Sequence, residues 1–374
     1  MEFELNDEQR QFKASLDRFL ETGRAFGADK LDLRQGDGWR PQVWQDLASQ
    51  LGVLAVGLPD RLGGFGGGVE QMVVMESVGR ALAPEPVAET LLQAAPLLAQ
   101  SESPAADALL QGIAAGSVRI ALAIGEDGVR DDFRAIACSA RDTDAGWQID
   151  GAKQIVVGAP WATHLLVAAR HAGQAGDATG LSLFVVAADV QGLELRPYRM
   201  LDERWAADVS LDGVEVPREA LIGVEGDGLA LLEEWRDRAI AAASAEACGI
   251  LERLVEETVA YARQREQFGQ TIGSFQALQH RMVDMHLQLE LARSAALLAC
   301  QTLDEPADVR GRAASAARLT VAQACRFVGQ NAVQIHGGMG MTDELAIGHF
   351  FKRATVIEHS FGSEGFHLRR RAAG

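Results

Sequence analysis

The sequence lacks several features that would assign it to common functional classes. Its 374 residues contain four cysteines, Cys138, Cys248, Cys300 and Cys325, with no CxxC pair and no histidine at metal-ligand spacing. We therefore expect buried free thiols in a reducing compartment, and neither a disulfide framework nor a metal site. No apolar run reaches bilayer length, and the first residues show no signal-peptide pattern. These absences predict a cytoplasmic protein that does not contact a membrane.

Positive charge is also scarce relative to negative charge. The formal net charge is −17 at pH 7, and the sequence pI is about 4.9. A polyanion would be repelled by most of such a surface, and no basic run with interleaved aromatic residues interrupts it. The composition therefore argues against a nucleic-acid partner.

The pattern of apolar residues divides the chain into three parts. Residues 1–112 show helical spacing, and residues 113–222 contain short apolar runs separated by turn residues, which is typical of an antiparallel barrel or sandwich. Residues 223–374 return to long helices and predict a four-helix bundle. In one predicted helix, apolar residues recur every three or four positions and form a continuous seam. Its members are Phe275, Leu278, Met282, Met285, Leu289, Ala292, Ala296, Ala299 and Leu303. The predicted fold class is α+β, mainly α.

Two segments of the last third are much more specific than composition. They read YARQREQFGQTIGSFQ at residues 261–276 and QIHGGMGMTDE at residues 334–344. Arg265 can neutralise a pyrophosphate with a fork of donors, and Phe268 offers a flat surface to a ring. The glycines of the second segment let a backbone approach a phosphate or ribose. Both segments therefore suit a dinucleotide.

Both segments closely resemble signatures of the acyl-CoA dehydrogenase family, and the resemblance extends over the whole chain. It implies a helical N-terminal domain, a middle β domain, a C-terminal four-helix bundle and FAD as the cofactor. In the family, these segments serve the ADP half of an FAD that belongs mainly to the neighbouring subunit. The positions that match are Arg265, Phe268, Gln276, Gln334, Gly337 and Gly338.

The chain departs from the family at the catalytic base. Family members remove the α-hydrogen with a glutamate, while the β-hydrogen leaves as hydride to the flavin. Phe361 and Ala239 occupy the two base positions known in the family, and neither can accept a proton. Glu246 is the remaining candidate, since it lies two turns after Ala239 on a helix face otherwise rich in alanine. Apolar surroundings raise the pKa of a carboxylic acid and suit it to act as a base, but a packing role is the competing interpretation.

The segments that would contact the flavin ring have also changed. Family members carry a Thr-Glu-Pro-Gly type of loop and a Trp-Ile-Thr stretch in the β domain. The matching stretches here read IGEDGV at residues 124–129 and IVVG at residues 155–158, without the hydroxyls and the Trp. The chain thus keeps the residues that would contact the FAD of a neighbouring subunit. It lacks the residues that would contact the flavin ring of an FAD of its own.

This pattern resembles the small subunit of pimeloyl-CoA dehydrogenase and subunits of heteromeric steroid-side-chain acyl-CoA dehydrogenases. That resemblance implies a larger homologous partner subunit in an α2β2 heterotetramer, an acyl-CoA substrate of fatty-acid or steroid type, and electron-transfer flavoprotein as acceptor. Three other interpretations stay open. They are a self-sufficient homotetramer with Glu246 as base, a flavin monooxygenase or nitroalkane-oxidase-like enzyme on the same fold, and a helical scaffold.

Overall fold

The computed structural model describes residues 4–22, 38–129 and 131–372. In this part the chain is mainly helical, with a sheet in the middle of the sequence, so the predicted fold class is confirmed. By its internal contacts the chain divides into two compact units. The described residues of the bundle unit are 4–22, 68–83 and 240–372, and those of the sheet unit are 38–67, 84–129 and 131–239. The domain boundaries predicted after residues 112 and 222 stay predictions.

Among the described residues, the helices lie mainly in the first and last parts of the chain, as the sequence predicts. They are α1 Asp7–Thr22, α2 Pro41–Ser49, α3 Gly68–Ala81, α4 Ala95–Ala99, α5 Pro104–Ala114, α6 Gly228–Gln264, α7 Gln276–Gln301, α8 Ala307–His336, α9 Ile347–His359 and α10 Glu364–Ala372. A π-helix, Ala88–Ala94, runs directly into α4. The Asn6 side chain accepts from the Gln9 backbone N–H at 2.8 Å, and the Gln9 side chain accepts from the Asn6 N–H at 2.9 Å. This reciprocal capping fixes the start of α1. The separate helix α10 was not predicted.

The predicted apolar seam forms the core of the bundle unit. Met285, Leu289, Ala292 and Ala296 of α7 are buried in one cluster with residues of α6, α8 and α9. Leu278 and Met282 pack against the same cluster. The repeat of three and four residues places all of these side chains on one face of α7, so the prediction of bundle packing is confirmed.

Helices α3 and α6 approach each other to backbone contact inside the bundle unit. A Cβ built on Gly79 would lie 2.0 Å from the Glu246 carbonyl oxygen, and one built on Gly249 would lie 2.0 Å from the Glu76 carbonyl oxygen. Two glycines on facing helices therefore permit a crossing that any larger residue would block. This crossing fixes the backbone of Glu246.

The sheet unit contains one eight-stranded, mostly antiparallel sheet in the order β6-β7-β3-β2-β4-β5-β8, with β1 parallel to β4. Its strands are β1 Ile120–Ala123, β2 Ser139–Thr143, β3 Gly146–Val157, β4 His164–Arg170, β5 Leu181–Ala187, β6 Leu193–Arg199, β7 Trp205–Val216 and β8 Leu221–Ile222. Strand β3 is long because residues 146–157 stay paired with β7 through two register shifts. Strand β6 was missed because half-exposed and exposed residues hide its alternation.

Candidate functional site

The first motif folds into a tight hairpin at the C-terminal end of α6. Strands β9 Glu266–Gln267 and β10 Gln270–Thr271 are joined by Phe268 and Gly269, whose φ angles are 55° and 79°. Two positive φ angles define a hairpin turn of type I′. A phenylalanine is unusual there, because its side chain disfavours the left-handed region. The Phe268 side chain is 91% exposed, so the turn presents an aromatic ring to solvent.

Arg265 lies between α6 and the hairpin. Its backbone N–H donates to the Tyr261 carbonyl at 2.8 Å, and its carbonyl accepts from the Ile272 N–H at 2.8 Å. These bonds fix the backbone, whereas the exposed guanidinium contacts no acceptor in the part of the chain that the structure describes. An oriented guanidinium without a protein counter-ion suits a phosphate or carboxylate ligand.

The second motif ends α8 in an open glycine turn. Gly337 has φ 62° and begins a short 3-10 helix that extends to Met341. A Cβ built on Gly337 or Gly338 would meet no atom within 4 Å. The open side of this turn therefore leaves the backbone accessible to a ligand. Gln334, in the last turn of α8, is also exposed.

Ring stacking joins the two motifs. The Tyr261 ring, in the last turn of α6, and the His336 ring, at the end of α8, have centroids 4.3 Å apart and planes inclined by 27°. His336 Nδ1 donates to the Ala332 carbonyl at 2.8 Å, and burial lowers the pKa of the His336 imidazole. Gln276 begins α7 directly after the hairpin segment. The motifs therefore lie at one end of the bundle unit.

We call this set the open end of the bundle. Its six members are Arg265, Phe268, Gln276, Gln334, Gly337 and Gly338, and all are exposed. The set combines an unpaired cation, a flat apolar ring, amide side chains and accessible backbone. This chemistry fits the pyrophosphate, adenine and ribose groups of a dinucleotide, as the sequence predicts. The roles of the individual residues stay predictions.

The expectation that Glu246 lies in apolar surroundings is wrong. Arg353 of α9 binds it as a fork, with Nε to Oε1 at 2.6 Å and Nη2 to Oε2 at 2.6 Å. Both side chains are nearly buried, with 8% of Glu246 and 12% of Arg353 exposed. Both carboxylate oxygens of Glu246 are thus engaged by the Arg353 guanidinium. This arrangement favours the packing role.

The two family base positions hold apolar side chains in different settings. Ala239 is fully buried. Phe361 follows α9, has φ 61° and packs against the core of the bundle unit. Its carbonyl accepts from His367 Nε2 at 2.8 Å, which helps to hold the strained backbone. Neither position supplies a proton acceptor.

The stretch at residues 124–129, where family members contact the flavin ring, is bound to its own sheet. Lys153 of β3 is completely buried, and its Nζ lies 2.5 Å from Glu126 Oε1. Glu126 also accepts from the backbone N–H groups of Ala137 at 2.7 Å and Cys138 at 3.1 Å. The Gln154 N–H donates to the Gly125 carbonyl at 2.8 Å. The Glu126 carboxylate is thus occupied by internal partners.

The second stretch that differs from the family contains a strained residue. Ile155 has φ 55° at an irregularity of β3 and is 59% exposed. A β-branched residue rarely adopts this conformation. The Ile155 N–H donates to Asp208 Oδ1 at 3.3 Å. Sequence reasoning missed both this strain and the Lys153–Glu126 pair, although a lysine at an inward position of a strand is a signal of a buried partner.

The chain combines a bundle unit, whose exposed end carries both motifs, with a β-sheet unit, which is the layout that the sequence predicts for a flavin-dependent dehydrogenase. Three family profiles match the chain. They are the N-terminal, middle and C-terminal domains of acyl-CoA dehydrogenase, over residues 6–117, 121–214 and 226–374. The chain belongs to the acyl-CoA dehydrogenase family, whose members are oxidoreductases that act on CH–CH bonds.

Relatives and solved structures agree with this assignment. A probable acyl-CoA dehydrogenase, YngJ of Bacillus subtilis, is 27% identical over 370 residues, which are 97% of this chain and 96% of YngJ. The ChsE4-ChsE5 complex of Mycobacterium tuberculosis is similar at 26% identity with a TM-score of 0.88, over 100% of this chain and 98% of that one. A Tcur3481-Tcur3483 steroid ACAD variant is similar at 28% identity with a TM-score of 0.86, over 98% and 97%.

Family neighbours solved with cofactor contain FAD. Among the residues that the structure describes, no helix is long and apolar enough to cross a bilayer.

Proposed function

We propose that this chain is the partner subunit of a heteromeric FAD-dependent acyl-CoA dehydrogenase. In this proposal its open end contacts the ADP half of an FAD whose flavin ring lies mainly in a larger homologous subunit. The observation that carries the proposal is the Phe268 ring, which is 91% exposed on a hairpin that also positions an unpaired Arg265. Such a costly exposed conformation is explained if a ligand or a second subunit covers it.

Each residue of the open end would have a distinct part in holding FAD. Arg265 would neutralise the pyrophosphate, and Phe268 would pack its ring against the cofactor. The Gly337 and Gly338 segment would admit the ribose or phosphate close to the backbone, and Gln276 and Gln334 would hydrogen-bond the adenosine half. FAD, when bound, would supply the acceptor for the hydride that leaves the β-carbon of the acyl-CoA. This chain would bind and orient it from one side.

The proposal assigns the α-proton to a base on the partner subunit. Ala239 and Phe361 cannot accept a proton, and the Glu246 carboxylate is held by Arg353 on both oxygens. A general base needs a free lone pair directed at the proton that it removes. The internal contacts of Glu126 likewise leave its carboxylate without a role toward a ring. A homotetramer with Glu246 as base is therefore less well supported.

Two similar structures support a heteromeric assembly. The ChsE4-ChsE5 complex and the Tcur3481-Tcur3483 protein each combine two different chains, and the second is a steroid ACAD. We propose an α2β2 heterotetramer for this chain too, with an acyl-CoA substrate and electron-transfer flavoprotein as acceptor. Steroid catabolism is the favoured pathway class, and fatty-acid catabolism is the alternative.

Co-expression tests the proposal directly. The chain purified alone should retain little FAD, since its ring-side segments lack hydroxyl donors. Co-expression with a larger homologous subunit that carries the catalytic glutamate should give a yellow complex with fewer flavins than chains. A stoichiometric flavin content in the isolated chain would contradict the proposal.

Arg265→Ala tests the open end within that complex. Loss of a charge-assisted contact to pyrophosphate should weaken FAD retention by about 1.5–3 kcal/mol, measured as flavin released on dilution. Arg263→Ala is the matched control, since Arg263 is exposed in the last turn of α6 just before the hairpin. Equal flavin release by both variants would mean that Arg265 does not contact the cofactor.

A further inference from the structure

Two aromatic rings from different helices meet at the open end of the bundle. The Tyr261 ring of α6 and the His336 ring of α8 have centroids 4.3 Å apart and planes inclined by 27°. Such a stack stabilises two rings beyond the burial of their area. Tyr261 is half-buried, and His336 is only 5% exposed. Because Tyr261 begins the first motif and His336 belongs to the second, the stack connects the two motifs directly.

On the α6 side, backbone hydrogen bonds connect the stack to the hairpin. The Tyr261 carbonyl accepts from the Arg265 N–H at 2.8 Å, and the Arg265 carbonyl accepts from the Ile272 N–H at 2.8 Å. The Tyr261 hydroxyl has no hydrogen-bond partner in the described part of the chain. The ring of Tyr261 is therefore held by packing, and its backbone is bonded to the residue that carries the exposed guanidinium.

On the α8 side, the His336 ring is fixed by its own helix and by the glycine turn. His336 Nδ1 donates to the Ala332 carbonyl at 2.8 Å, since a carbonyl can only accept. A Cβ built on Gly340 would lie 3.1 Å from His336 Cβ, so the 3-10 helix folds back against this histidine. Burial lowers the pKa of the His336 imidazole, which keeps the ring neutral near pH 7. A rigid, neutral ring thus directly precedes Gly337.

We propose that Tyr261 and His336 are positioning residues, whose stacked rings hold the Arg265 hairpin and the Gly337 turn in one relative orientation. Both motifs would then contact the same dinucleotide without first having to be ordered. A ligand that touches two elements binds more tightly when they are already oriented, because less conformational entropy is lost on binding. This inference rests on the proposed function. It predicts that loss of the stack weakens cofactor binding although no contact to the cofactor is removed.

Hydrogen exchange in the isolated chain tests the positioning without any cofactor. His336→Leu removes one ring and should raise the exchange of residues 262–273, in the other motif. Reciprocally, Tyr261→Leu should raise the exchange of residues 333–341, whereas Tyr261→Phe keeps the ring and should match the wild type. His359→Leu, at an exposed position at the end of α9, is the control and should change neither segment. Unchanged exchange in the opposite motif would overturn the proposal, and each leucine variant decides it if the other does not fold.

FAD retention in the co-expressed complex gives the second measurement. Tyr261→Leu and His336→Leu should each raise the dissociation constant of FAD about 3- to 10-fold. The double variant should lose no more than either single variant, because both remove the same stack. Tyr261→Phe should retain FAD like the wild type, and a loss equal to that of Tyr261→Leu would overturn the positioning role.

Arg265→Ala separates a failure of this inference from a failure of the proposed function. If Arg265→Ala weakens FAD retention and the two leucine variants do not, the stack does not position the site and the inference is overturned. If all three variants retain FAD like the wild type while exchange rises as expected, the connection between the motifs is supported and the proposed function is contradicted.

Discussion

The open end of the bundle and the region around the family base positions differ in how their polar groups are used. At the open end, Arg265 has no partner among the described residues, and the Phe268 ring is almost fully exposed. At the base region, Glu246 is nearly buried, paired with Arg353 on both oxygens and fixed by the contact of its carbonyl with Gly79. The polar groups of the open end are therefore accessible, whereas those of the second region are paired inside the bundle unit. We call this second region, Glu246 with Arg353 and Gly79, the closed region.

In the proposed assembly, this contrast would let a subunit keep half of a shared site. Residues that contact a cofactor held by another chain must stay accessible. Selection for cofactor binding can retain such residues although their backbone strain and exposure cost free energy. Residues that no longer act on a substrate can form internal pairs that stabilise packing. The sheet unit shows the same second pattern, since Lys153 and the backbone of residues 137 and 138 occupy the Glu126 carboxylate.

The largest effect on the free energy of unfolding is expected when the ion pair of the closed region is broken. Arg353→Met should destabilise the chain by about 3–5 kcal/mol, because it leaves the Glu246 carboxylate buried without a cation. Denaturant unfolding measures the change. Lys352→Met, at the half-exposed neighbouring position, should change stability by less than about 0.5 kcal/mol.

A double variant sharpens the same comparison. Combining Glu246→Leu with Arg353→Met removes both charges and should recover most of the stability lost in the single variant. If Arg353→Met costs no more than Lys352→Met, the pair does not contribute to closing this region.

The next largest effect on stability is expected from a substitution at the crossing of α3 and α6. Gly79→Ala should destabilise the chain by about 1–3 kcal/mol, since the new methyl group would overlap the Glu246 carbonyl and force the helices apart. Gly348→Ala is the control in α9, where the nearest atoms to a new Cβ are 3.6 Å away, and it should be neutral or slightly stabilising. Equal unfolding midpoints for the two variants would contradict the close crossing.

At the open end we expect a substitution to have a small effect on stability and a larger effect on FAD retention in the complex. Phe268→Asn should stabilise the isolated chain by up to about 1 kcal/mol, because asparagine tolerates the positive φ of this turn, yet flavin retention in the complex should fall. Ile155→Asn is a matched control with the same φ of 55° and an exposed side chain in the sheet unit. Ile155→Asn should also stabilise the chain, but it should leave flavin retention in the complex unchanged. If the Phe268→Asn complex retains as much flavin as the wild type, the Phe268 ring does not contact the cofactor.

The smallest effect is expected on turnover. Glu246→Gln should leave the rate per folded complex within a few-fold of wild type, with assembly and FAD content measured in parallel. A loss of about 10²–10⁴ with both unchanged would restore Glu246 as the base, since that is the usual contribution of a positioned general base.

Much of the bundle could be predicted because its signals are local. The seam from Leu278 to Leu303 follows from spacing alone, and the Asn6 cap follows from residue type next to an apolar run. The two motifs also indicate their structure locally, since a glycine turn and an arginine at a helix end depend on near neighbours. All six residues of the open end lie at the surface, where a ligand can reach them.

The closed region could not be predicted from the same kind of signal. Glu246 and Arg353 are 107 positions apart, and helical spacing does not show which charges face each other across a bundle. The alanine-rich face suggested an apolar setting because alanine permits close packing, and close packing brought α9 and its arginine to the carboxylate. The left-handed backbone of Phe361 has no sequence signal either, as it depends on bonds from Arg318 and His367.

The four cysteines offer a practical route to follow assembly by fluorescence. All four are buried and free, and burial raises the pKa of Cys138 to about 11 and of Cys300 and Cys325 to about 12. The thiolate, not the thiol, attacks a thiol-reactive label, so these native groups react very slowly near neutral pH. A Phe268→Cys variant would therefore carry its label at one position, on the hairpin tip. Quenching or a shift in emission on mixing with a partner would report, in real time, the moment at which that tip becomes covered.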